Sequence, residues 1–321
     1  MYKILFTASP YFEQRIDNLK IDGFEFIKQQ PDLTEDELIK ALVGMDGYIL
    51  GGNEIATRKV IESTKNLKVI AFCGIGYQSF MDVQAATEKG IVITNTPGAN
   101  AKTVAELTVG FILTAVKHII PMNEDAKKGI WGKRRMDDLE GKTLGIVGMG
   151  EIGSKVAKIM KDGFGMKIIY HSRTEKPEIE NTLGAKKVSM AELFSQSDVV
   201  SLHIPHTSQT DQMVNSEVLA SMKPSAVLIN TARAGLVDGN ALYEALVANK
   251  LSAAAFDGYY KEPLPKPEND QYKLMSLPDS KFILTPHNGA NSEEAYDAMT
   301  EMAVKGLVDA LNGKVPKNKV N

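Results

Sequence analysis

The sequence predicts an α/β fold with two doubly wound parallel-sheet domains. Two series of short apolar runs alternate with amphipathic segments, over residues 1–96 and 143–286. In the second series, a glycine fingerprint separates a predicted strand from a predicted helix. Strands that alternate with helices form parallel sheets that helices cover on both faces. The 321 residues leave room for two such domains, because one domain usually takes about 100–200 residues.

The composition excludes several classes of protein. Apolar residues make up 43% and charged residues 24%, which is typical of a folded globular chain. A net charge of −3 provides no general attraction to nucleic acid or to anionic membranes. The one cysteine, Cys73, forms no internal disulfide, and no Cys/His cluster has the spacing of a metal site. No run of about 18 apolar residues could span a bilayer and no signal-peptide cleavage site is present, so we expect a cytoplasmic protein without a metal.

Five strands are predicted before residue 97, and one helix start is clear. Thr34 and Glu37 form a capping box, which marks the first turn of a helix. Asn95–Gly98 then breaks the alternation, and a long helix is predicted from Lys102 to Ile120, ending at Pro121. The predicted strands are 3–8, 24–29, 48–52, 69–74 and 91–96.

The second series follows a polar segment, 121–141, and leads to a terminal helix. That helix is predicted over Asn291–Leu311, with Asn291 and Glu294 as its capping pair and Gly313 at its end. The predicted strands are 143–148, 167–172, 199–204, 226–231, 253–258 and 282–286. The predicted helices between them are 151–161, 190–196, 215–221 and 239–249.

The glycine fingerprint is Gly148-Met149-Gly150-Glu151-Ile152-Gly153. It follows the strand TLGIVG and opens an amphipathic helix, which is the context that a dinucleotide site requires. The first glycine makes the tight turn, the second lets the backbone approach a pyrophosphate, and the third lets the helix pack on the strand. The helix N-terminus then faces the phosphate charge. The alternative is a glycine-rich turn that binds no ligand.

The end of the next strand indicates which dinucleotide binds. A carboxylate about 20 residues beyond the fingerprint would bind the ribose hydroxyls of NAD(H). This chain instead has His171, Ser172, Arg173 and Thr174, with no acid before Glu175. An arginine with neighbouring hydroxyls suits a 2′-phosphate. We therefore predict NADP(H) over NAD(H), with NAD(H) still possible if Arg173 is only a solvated loop residue.

Three side chains of complementary chemistry follow strands of the second series. Arg233 follows AVLINT, Glu262 comes shortly after AAAFDG, and His287 follows FILTP. Ligands of open parallel sheets bind beyond the carboxyl ends of the strands, so these groups should converge. Reduction of a 2-keto acid needs an arginine for the carboxylate and carbonyl, a histidine that protonates the new alkoxide, and a carboxylate that favours the imidazolium. Each residue could instead be an ordinary surface loop residue.

Several segments, in order, resemble the D-isomer-specific 2-hydroxyacid dehydrogenase family. They run from Asn66 to His287 and are LKVIAFCGIGYQSFMDV, GIVITNTPGANAKTVAELTVGFIL, GKTLGIVGMGEIGSKVAKI, MKPSAVLINTARAGLVD, AAAFDGYYKEP and LTPHNGA. The resemblance implies a Rossmann-type dinucleotide-binding domain, residues 101–287, inserted into a flavodoxin-like substrate domain, residues 1–100 and 288–321. It also implies a homodimer formed through the dinucleotide-binding domain.

The resemblance carries roles to matching positions. It implies that Arg233 binds the substrate, that Glu262 pairs with the histidine and that His287 is the acid/base. Asp257 would face the nicotinamide carboxamide. The substrate carboxylate would be held by the backbone of Gly74, Ile75 and Gly76. The cofactor would also be lined by Thr103, His203, Pro205, Thr231, Ala232 and Gly289.

Two positions depart from the family pattern. Ala234 stands where the family usually has glycine, and its methyl group would tilt the arginine loop if φ is positive there. His206 stands where the family usually has an apolar residue. It is either a histidine without a chemical role or a contact to the substrate.

The predicted function is the reduction of a small 2-keto acid, such as glyoxylate or hydroxypyruvate, by NADPH. Phosphoglycerate dehydrogenase is the alternative among enzymes, but a substrate phosphate needs a cation. The loop after YILGG carries Glu54, which has the wrong sign, and Arg58 is expected on the next helix. No regulatory domain is expected after the terminal helix. A dinucleotide-sensing binding protein of the corepressor type is the alternative of another class, and the intact set of Arg233, Glu262 and His287 disfavours it.

Overall fold

The structure, a computed structural model, describes residues 1–8, 12, 15–16 and 21–321. Two units are formed, the first from Met1–Asn100 with Asn291–Asn321 and the second from Ala101–Ala290. Each unit is a parallel sheet with a hydrophobic core on either face. This is the α/β class that the alternating sequence pattern predicts.

In the described residues of the first unit, five parallel strands are paired in the order β2-β1-β3-β4-β5. The chain therefore starts inside the sheet and winds outwards to both sides, as in flavodoxin-like folds. The strands are β1 Tyr2–Ala8, β2 Phe24–Gln29, β3 Gly47–Gly51, β4 Val69–Phe72 and β5 Val92–Thr94. The helices are Glu35–Ala41, Arg58–Ser63, Val83–Glu88 and the terminal helix Glu293–Leu311.

The side chains of β1 alternate between the two cores of this unit. Leu5 packs in the core that contains Leu38, which lies on helix 35–41. Ile4 and Phe6 pack in the opposite core with Leu307 of the terminal helix. This alternation follows from the pleat of a strand, in which successive side chains point to opposite faces.

Residues that follow the second unit in the chain complete the first unit. The terminal helix places Leu307, which is fully buried, in the core beside β1. Beyond that helix, Val320 N donates to Ile93 O over 3.0 Å, and Ile93 N donates to Asn321 Oδ1 over 2.7 Å. Both edges of β5 are thereby paired, one with β4 and the other with the segment around Val320.

In the second unit, the described residues form seven parallel strands in the order β12-β11-β10-β9-β6-β7-β8. The winding direction reverses between β6 and β9, and ligands of doubly wound sheets bind at such a switch point. The strands are β6 Thr143–Val147, β7 Lys167–His171, β8 Lys186–Lys187, β9 Val199–Leu202, β10 Val227–Asn230, β11 Ala253–Asp257 and β12 Phe282–Thr285. The helices are Ala101–Val116, Ile119–Lys127, Glu151–Phe164, Pro177–Leu183, Met190–Gln196, Ser216–Ser221 and Gly239–Val247.

Several strands stop before their predicted ends. β4 ends at Phe72 rather than residue 74, β5 at Thr94 rather than residue 96, and β9 at Leu202 rather than residue 204. The loops that follow these strands are still buried or half-buried. Because these loop residues are also buried or half-buried, the apolar pattern runs past the last hydrogen bond of each strand. The sequence pattern alone therefore predicts strands that are too long.

The predicted long helix, 102–120, is wrong as a single element. It consists of two helices, Ala101–Val116 and Ile119–Lys127, whose axes differ by 59°. His118 lies between them with a left-handed backbone (φ 52°). Pro121 does not end a helix but lies in the first turn of the second one, where an N–H has no helical partner anyway.

The predicted cap of the terminal helix is also wrong. Ser292 caps it, because its Oγ accepts a hydrogen bond from Ala295 N over 3.1 Å. The predicted capping box of helix 35–41 is confirmed, since Thr34 N donates to Glu37 Oε2 over 2.9 Å. Strand β8 and helix Pro177–Leu183 were not predicted from the sequence.

Among the described residues, no single helix is long and apolar enough to cross a membrane. The bent pair Ala101–Val116 and Ile119–Lys127 passes the test of length and composition only when both helices are taken together.

Candidate active site

The carboxyl edge of three neighbouring strands carries the predicted chemical residues of the second unit. Arg233 lies in the loop after β10, Glu262 in the loop after β11, and His287 in the loop after β12. These strands are direct neighbours in the sheet, in the order β12-β11-β10. Parallel strands end at a common edge, so the fold places the three loops side by side.

His287 and Glu262 form a hydrogen-bonded pair. His287 Nδ1 lies 2.8 Å from Glu262 Oε2, and Tyr259 N donates to Glu262 Oε1 over 2.9 Å. Both side chains are partly open to solvent, at 38% for the histidine and 42% for the glutamate. Burial alone would raise the pKa of Glu262, but the bonds from His287 and Tyr259 and the charge of Arg233 hold it below its usual value. The carboxylate engages Nδ1 and leaves Nε2 for a ligand.

Asp257 shapes the loop that carries His287. Its carboxylate accepts hydrogen bonds from Thr285 Oγ1 at 2.6 Å, Asn288 N at 2.7 Å and Gly289 N at 2.6 Å. Only 5% of Asp257 is exposed. Between these anchored residues, His287 has a left-handed backbone (φ 54°). That conformation is uncommon for a residue other than glycine, and the bonds of Asp257 to both sides of it hold the loop in place.

Arg233 is a half-buried cation. In the described part of the chain its side chain makes one hydrogen bond, from Nη1 to Ala232 O over 2.8 Å. Burial lowers the pKa of Arg233, while the charges of Glu262 and Asp257 raise it. A guanidinium has five N–H donors in a planar fork, so most of them remain for a carboxylate or carbonyl ligand.

The glycine fingerprint forms the turn that the sequence predicts. Gly148 follows β6 with φ 99°, and a Cβ there would lie 2.5 Å from His203 O. A Cβ on Gly153 would overlap Gly148 O, so only glycine lets helix 151–164 start this close to β6. At Gly150, by contrast, a Cβ would have no neighbouring group within 4 Å. The helix N-terminus therefore faces open space at Gly150, which fits the phosphates of a dinucleotide.

The segment after β7 has the polar character predicted for it. Ser172 Oγ donates to Thr174 O, and Arg173 and Thr174 are exposed. His171 Nδ1 lies 3.0 Å from Val188 O, which follows β8. Lys187 pairs with Tyr170 in the ladder, so β8 adds two exposed lysines, Lys186 and Lys187, next to this strand. Sequence reasoning missed these lysines because a two-residue strand carries no detectable periodicity.

The other predicted cofactor residues lie in the loops of the second unit or on its first helix. Thr231 and Thr108 hydroxyls are 2.9 Å apart. His203 Nε2 lies 2.9 Å from Ser201 Oγ, and burial lowers the pKa of His203 to about 3, so this ring is neutral. Thr103 and Thr231 are half-buried, as are Ala232 and His203, whereas Pro205 is exposed and Gly289 is buried.

Ala234 and His206, the two positions that depart from the family pattern, are both accommodated by their surroundings. Ala234 begins a short 3-10 turn and has no positive φ, so its methyl group does not strain the arginine loop. His206 Nε2 lies 2.7 Å from Asp211 Oδ1, and its ring covers Gly235, where a Cβ would lie 2.6 Å from the ring. Both contacts hold the His206 ring within the second unit.

In the first unit, the segment Gly74–Gly76 follows β4 at the carboxyl edge of the sheet. Thr96 N donates to Gly74 O over 2.9 Å, and Asn95 Nδ2 donates to Ile75 O over 3.2 Å. A Cβ on Gly74 would lie 2.6 Å from the ring of Phe72. The carbonyls of this loop are thus held by the residues after β5.

Glu54 corrects one argument from the sequence. The sequence argument takes Glu54 as a charge of the wrong sign for a substrate phosphate, but in the structure this residue is only 3% exposed. Its carboxylate accepts hydrogen bonds from Tyr48 OH (2.7 Å), Asp32 N (2.9 Å) and Thr7 Oγ1. Its charge therefore gives no reason against a phosphorylated substrate. Arg58 lies on helix 58–63 as expected and is engaged by three carboxylates, those of Glu62, Asp82 and Glu88.

Among the described residues, no three His, Cys, Asp or Glu side chains cluster in a way that could hold a metal ion.

Residues 109–289 match the family model described as D-isomer specific 2-hydroxyacid dehydrogenase, NAD binding domain. A hydroxypyruvate reductase of Thermotoga maritima is 42% identical over 82% of this chain and 84% of its own length. A glyoxylate reductase of Thermococcus litoralis is 37% identical over 88% of this chain and 86% of its own length.

A D-3-phosphoglycerate dehydrogenase of Methanocaldococcus jannaschii is 38% identical over the whole of this chain, which spans 60% of that relative's length. Among solved structures, the TT0316 protein of Thermus thermophilus superimposes with a TM-score of 0.87 and is 36% identical, covering 99% of this chain and 100% of its own.

Proposed function

The chain belongs to the D-isomer specific 2-hydroxyacid dehydrogenase family, and from that premise we propose that it reduces glyoxylate or hydroxypyruvate with NADPH. Enzymes of this family are nicotinamide-dependent oxidoreductases that act on small 2-keto and 2-hydroxy acids. The observation that carries the proposal is the His287–Glu262 pair, 2.8 Å apart, on a strand edge shared with Arg233. We also propose a cytoplasmic location, which agrees with the single free thiol, Cys73.

The proposed mechanism assigns one task to each of these residues. Arg233 binds the keto acid, and its N–H fork suits a carboxylate and the adjacent carbonyl oxygen. When bound, the dinucleotide supplies a hydride to the carbonyl carbon. His287 donates its proton from Nε2 to the carbonyl oxygen, which becomes the hydroxyl. Glu262 holds the protonated ring through Nδ1 and orients Nε2 toward the ligand.

The residues that would hold the dinucleotide all lie in the second unit. Gly148–Gly153 would hold the pyrophosphate, and Asp257 would contact the nicotinamide carboxamide while it holds the His287 loop. The remaining proposed contacts are Thr103, His203, Pro205, Thr231, Ala232 and Gly289. In the first unit, we propose that the backbone of Gly74, Ile75 and Gly76 binds the substrate carboxylate, on the strength of the matching family motif.

The proposed preference for NADPH rests on the segment after β7. No carboxylate occupies residues 171–174, and Arg173 is exposed beside the hydroxyls of Ser172 and Thr174. The lysines of β8 add positive charge next to the same strand. A 2′-phosphate is an anion that accepts several hydrogen bonds, and these surroundings favour it over the uncharged ribose hydroxyl of NADH.

Exchanging Arg173 for aspartate should turn the preference from NADPH to NADH. Loss of a charge-assisted bond costs about 1.5–3 kcal/mol, so kcat/KM for NADPH should fall about 10- to 150-fold. The measurement is the initial rate at several concentrations of each cofactor. Lys250→Asp is the matched control, because this exposed lysine precedes β11, away from β7 in the sheet. An unchanged preference in Arg173→Asp would reject the assignment.

The function itself is tested by initial rates with glyoxylate and with hydroxypyruvate, each with NADPH and with NADH. A parallel reaction with 3-phosphoglycerate and NAD+ tests the phosphoglycerate dehydrogenase alternative. Turnover of the keto acids with NADPH supports the proposal. If NADPH binds in a direct titration but no substrate of a wider 2-keto acid panel turns over, the binding-protein alternative replaces it.

We propose that the second unit forms a homodimer. Residues 119–136 expose several large apolar side chains, which is unusual for a surface that stays in water. Trp131 is 97% exposed, and Ile119, Ile130 and Met136 are 47%, 53% and 49% exposed. A second copy of the chain would cover them.

Trp131→Asp should weaken the dimer about 30-fold or more, since a buried interface tryptophan often contributes about 2 kcal/mol or more. Sedimentation equilibrium measures this. Trp131 is the only tryptophan of the chain, so its fluorescence should also shift to shorter wavelength as the wild type dimerises. Val43→Asp, at another exposed apolar residue, is the control and should change neither the dimer affinity nor the tryptophan fluorescence. A wild type that stays monomeric at every concentration would overturn the proposal.

A further inference from the structure

Gly258 lies next to the pair formed by Glu262 and His287. It follows the last residue of β11 and has a left-handed backbone (φ 92°). A Cβ built on it would overlap Glu262 Oε1 and would lie 3.5 Å from both Cγ and Nδ1 of His287. The space that a side chain would take at this position is therefore the space that the Glu262 carboxylate occupies.

The Glu262 carboxylate is held in that space from two sides. Oε1 accepts a hydrogen bond from Tyr259 N, the backbone group next to Gly258, over 2.9 Å. Oε2 contacts His287 Nδ1 at 2.8 Å. One oxygen is thus anchored to the backbone after β11, and the other orients the imidazole.

We propose that Gly258 is a positioning residue for the Glu262–His287 pair, a proposal that rests on the proposed function. A methyl group there would meet the far end of a flexible side chain rather than backbone atoms. This overlap would therefore be relieved by a movement of the Glu262 carboxylate. Moving it stretches both hydrogen bonds, so His287 loses the partner that holds its proton and fixes its ring.

The other charges around the pair do not replace Glu262. Arg233 is a cation whose charge acts on Glu262, and a cation disfavours a protonated ring. Asp257 has both oxygens engaged by Thr285, Asn288 and Gly289. Displacement of Glu262 should therefore be measurable directly in the behaviour of His287.

The test compares Gly258→Ala with Gly184→Ala. Gly184 lies in the same unit and also has a left-handed backbone (φ 63°), but a Cβ there would have no neighbouring group within 4 Å. Both variants place an alanine at a positive φ, and only Gly258→Ala also brings a Cβ against the Glu262 carboxylate. We expect Gly258→Ala to lower kcat about 10- to 100-fold, part of the effect of losing a general acid, with NADPH binding nearly unchanged. Gly184→Ala should keep the wild-type kcat.

The pH profile separates positioning from simple destabilisation. In Gly258→Ala, the rate of reduction should begin to fall at a lower pH than in the wild type, because the imidazolium has lost its carboxylate partner. In a Glu262→Ala background, Gly258→Ala should cause no further loss of kcat. A full additional loss there, or an unshifted profile, would overturn the proposal.

A readout without turnover keeps the proposal separate from the proposed function. The chain has five histidines, so the ring of His287 can be followed by NMR with labelled histidine and assigned with His287→Gln. Its titration should move to lower pH in Gly258→Ala and stay in place in Gly184→Ala. This result can be obtained even if no keto acid is turned over, and an identical titration in both variants would reject the role of Gly258.

Discussion

Replacing His287 with glutamine lowers kcat for keto acid reduction by about 10²–10⁴-fold, the usual contribution of a general acid. Glutamine keeps much of the shape of the side chain but cannot transfer a proton. Binding of NADPH should be nearly unchanged, because the fingerprint loop that would hold its phosphates follows a different strand. Steady-state kinetics and a direct NADPH titration measure the two effects separately.

His206→Gln is the matched control for this experiment. His206 is also paired with a carboxylate, Asp211, at 2.7 Å, and its side chain has the same exposed fraction as that of His287, 38%. It packs on Gly235 rather than beside Glu262. We expect the kcat of His206→Gln to stay close to that of the wild type. A similar loss in both variants, or no loss in His287→Gln, would remove His287 from the mechanism.

The second large effect is expected at Arg233. Truncating one partner of a buried charge pair costs about 2–5 kcal/mol, so Arg233→Ala should lower kcat/KM for the keto acid about 30- to 5,000-fold. The main change should be a higher KM, since the guanidinium binds the substrate carboxylate before and during reduction. Arg233→Lys should recover only part of the loss, because an ammonium keeps the charge but not the planar fork.

This prediction has a clear contrary outcome. If Arg233→Ala lost NADPH binding while its KM for the keto acid stayed the same, the residue would belong to the cofactor site. Kinetics at saturating NADPH, with the NADPH dissociation constant measured on the same preparation, distinguish the two roles.

The sequence allows the chemical residues to be predicted because their position depends on topology alone. Arg233, Glu262 and His287 each follow an apolar run, and parallel strands end at one edge. No side-chain geometry is needed for that step. The same reasoning predicts the fingerprint turn, where Gly148 and Gly153 are required by backbone contacts in and around a single strand–helix connection.

Other features depend on contacts between segments that are distant in the chain. From the sequence, Glu54 is interpreted as a charge of the wrong sign for a substrate phosphate, whereas in the fold it is buried and accepts hydrogen bonds from the hydroxyls of Tyr48 and Thr7. The bonds of Asp257 link β11 to residues 28 to 32 positions later, and no local pattern indicates them. The left-handed backbone of His118 divides the predicted long helix, and the sequence alone points to Pro121 as the residue that ends it.

The way the first unit is assembled has a consequence for the order of events during synthesis. Its strands are made first, yet the terminal helix and the residues that pair with Ile93 leave the ribosome only after the whole of the second unit. Domains generally fold as they emerge, the N-terminal one first. Here the nascent second unit is complete before the terminal helix can join the core on one face of the first sheet. The core that contains Ile4 and Phe6 lacks Leu307 of the terminal helix through that interval, so the first unit is completed only after the second unit has been synthesised.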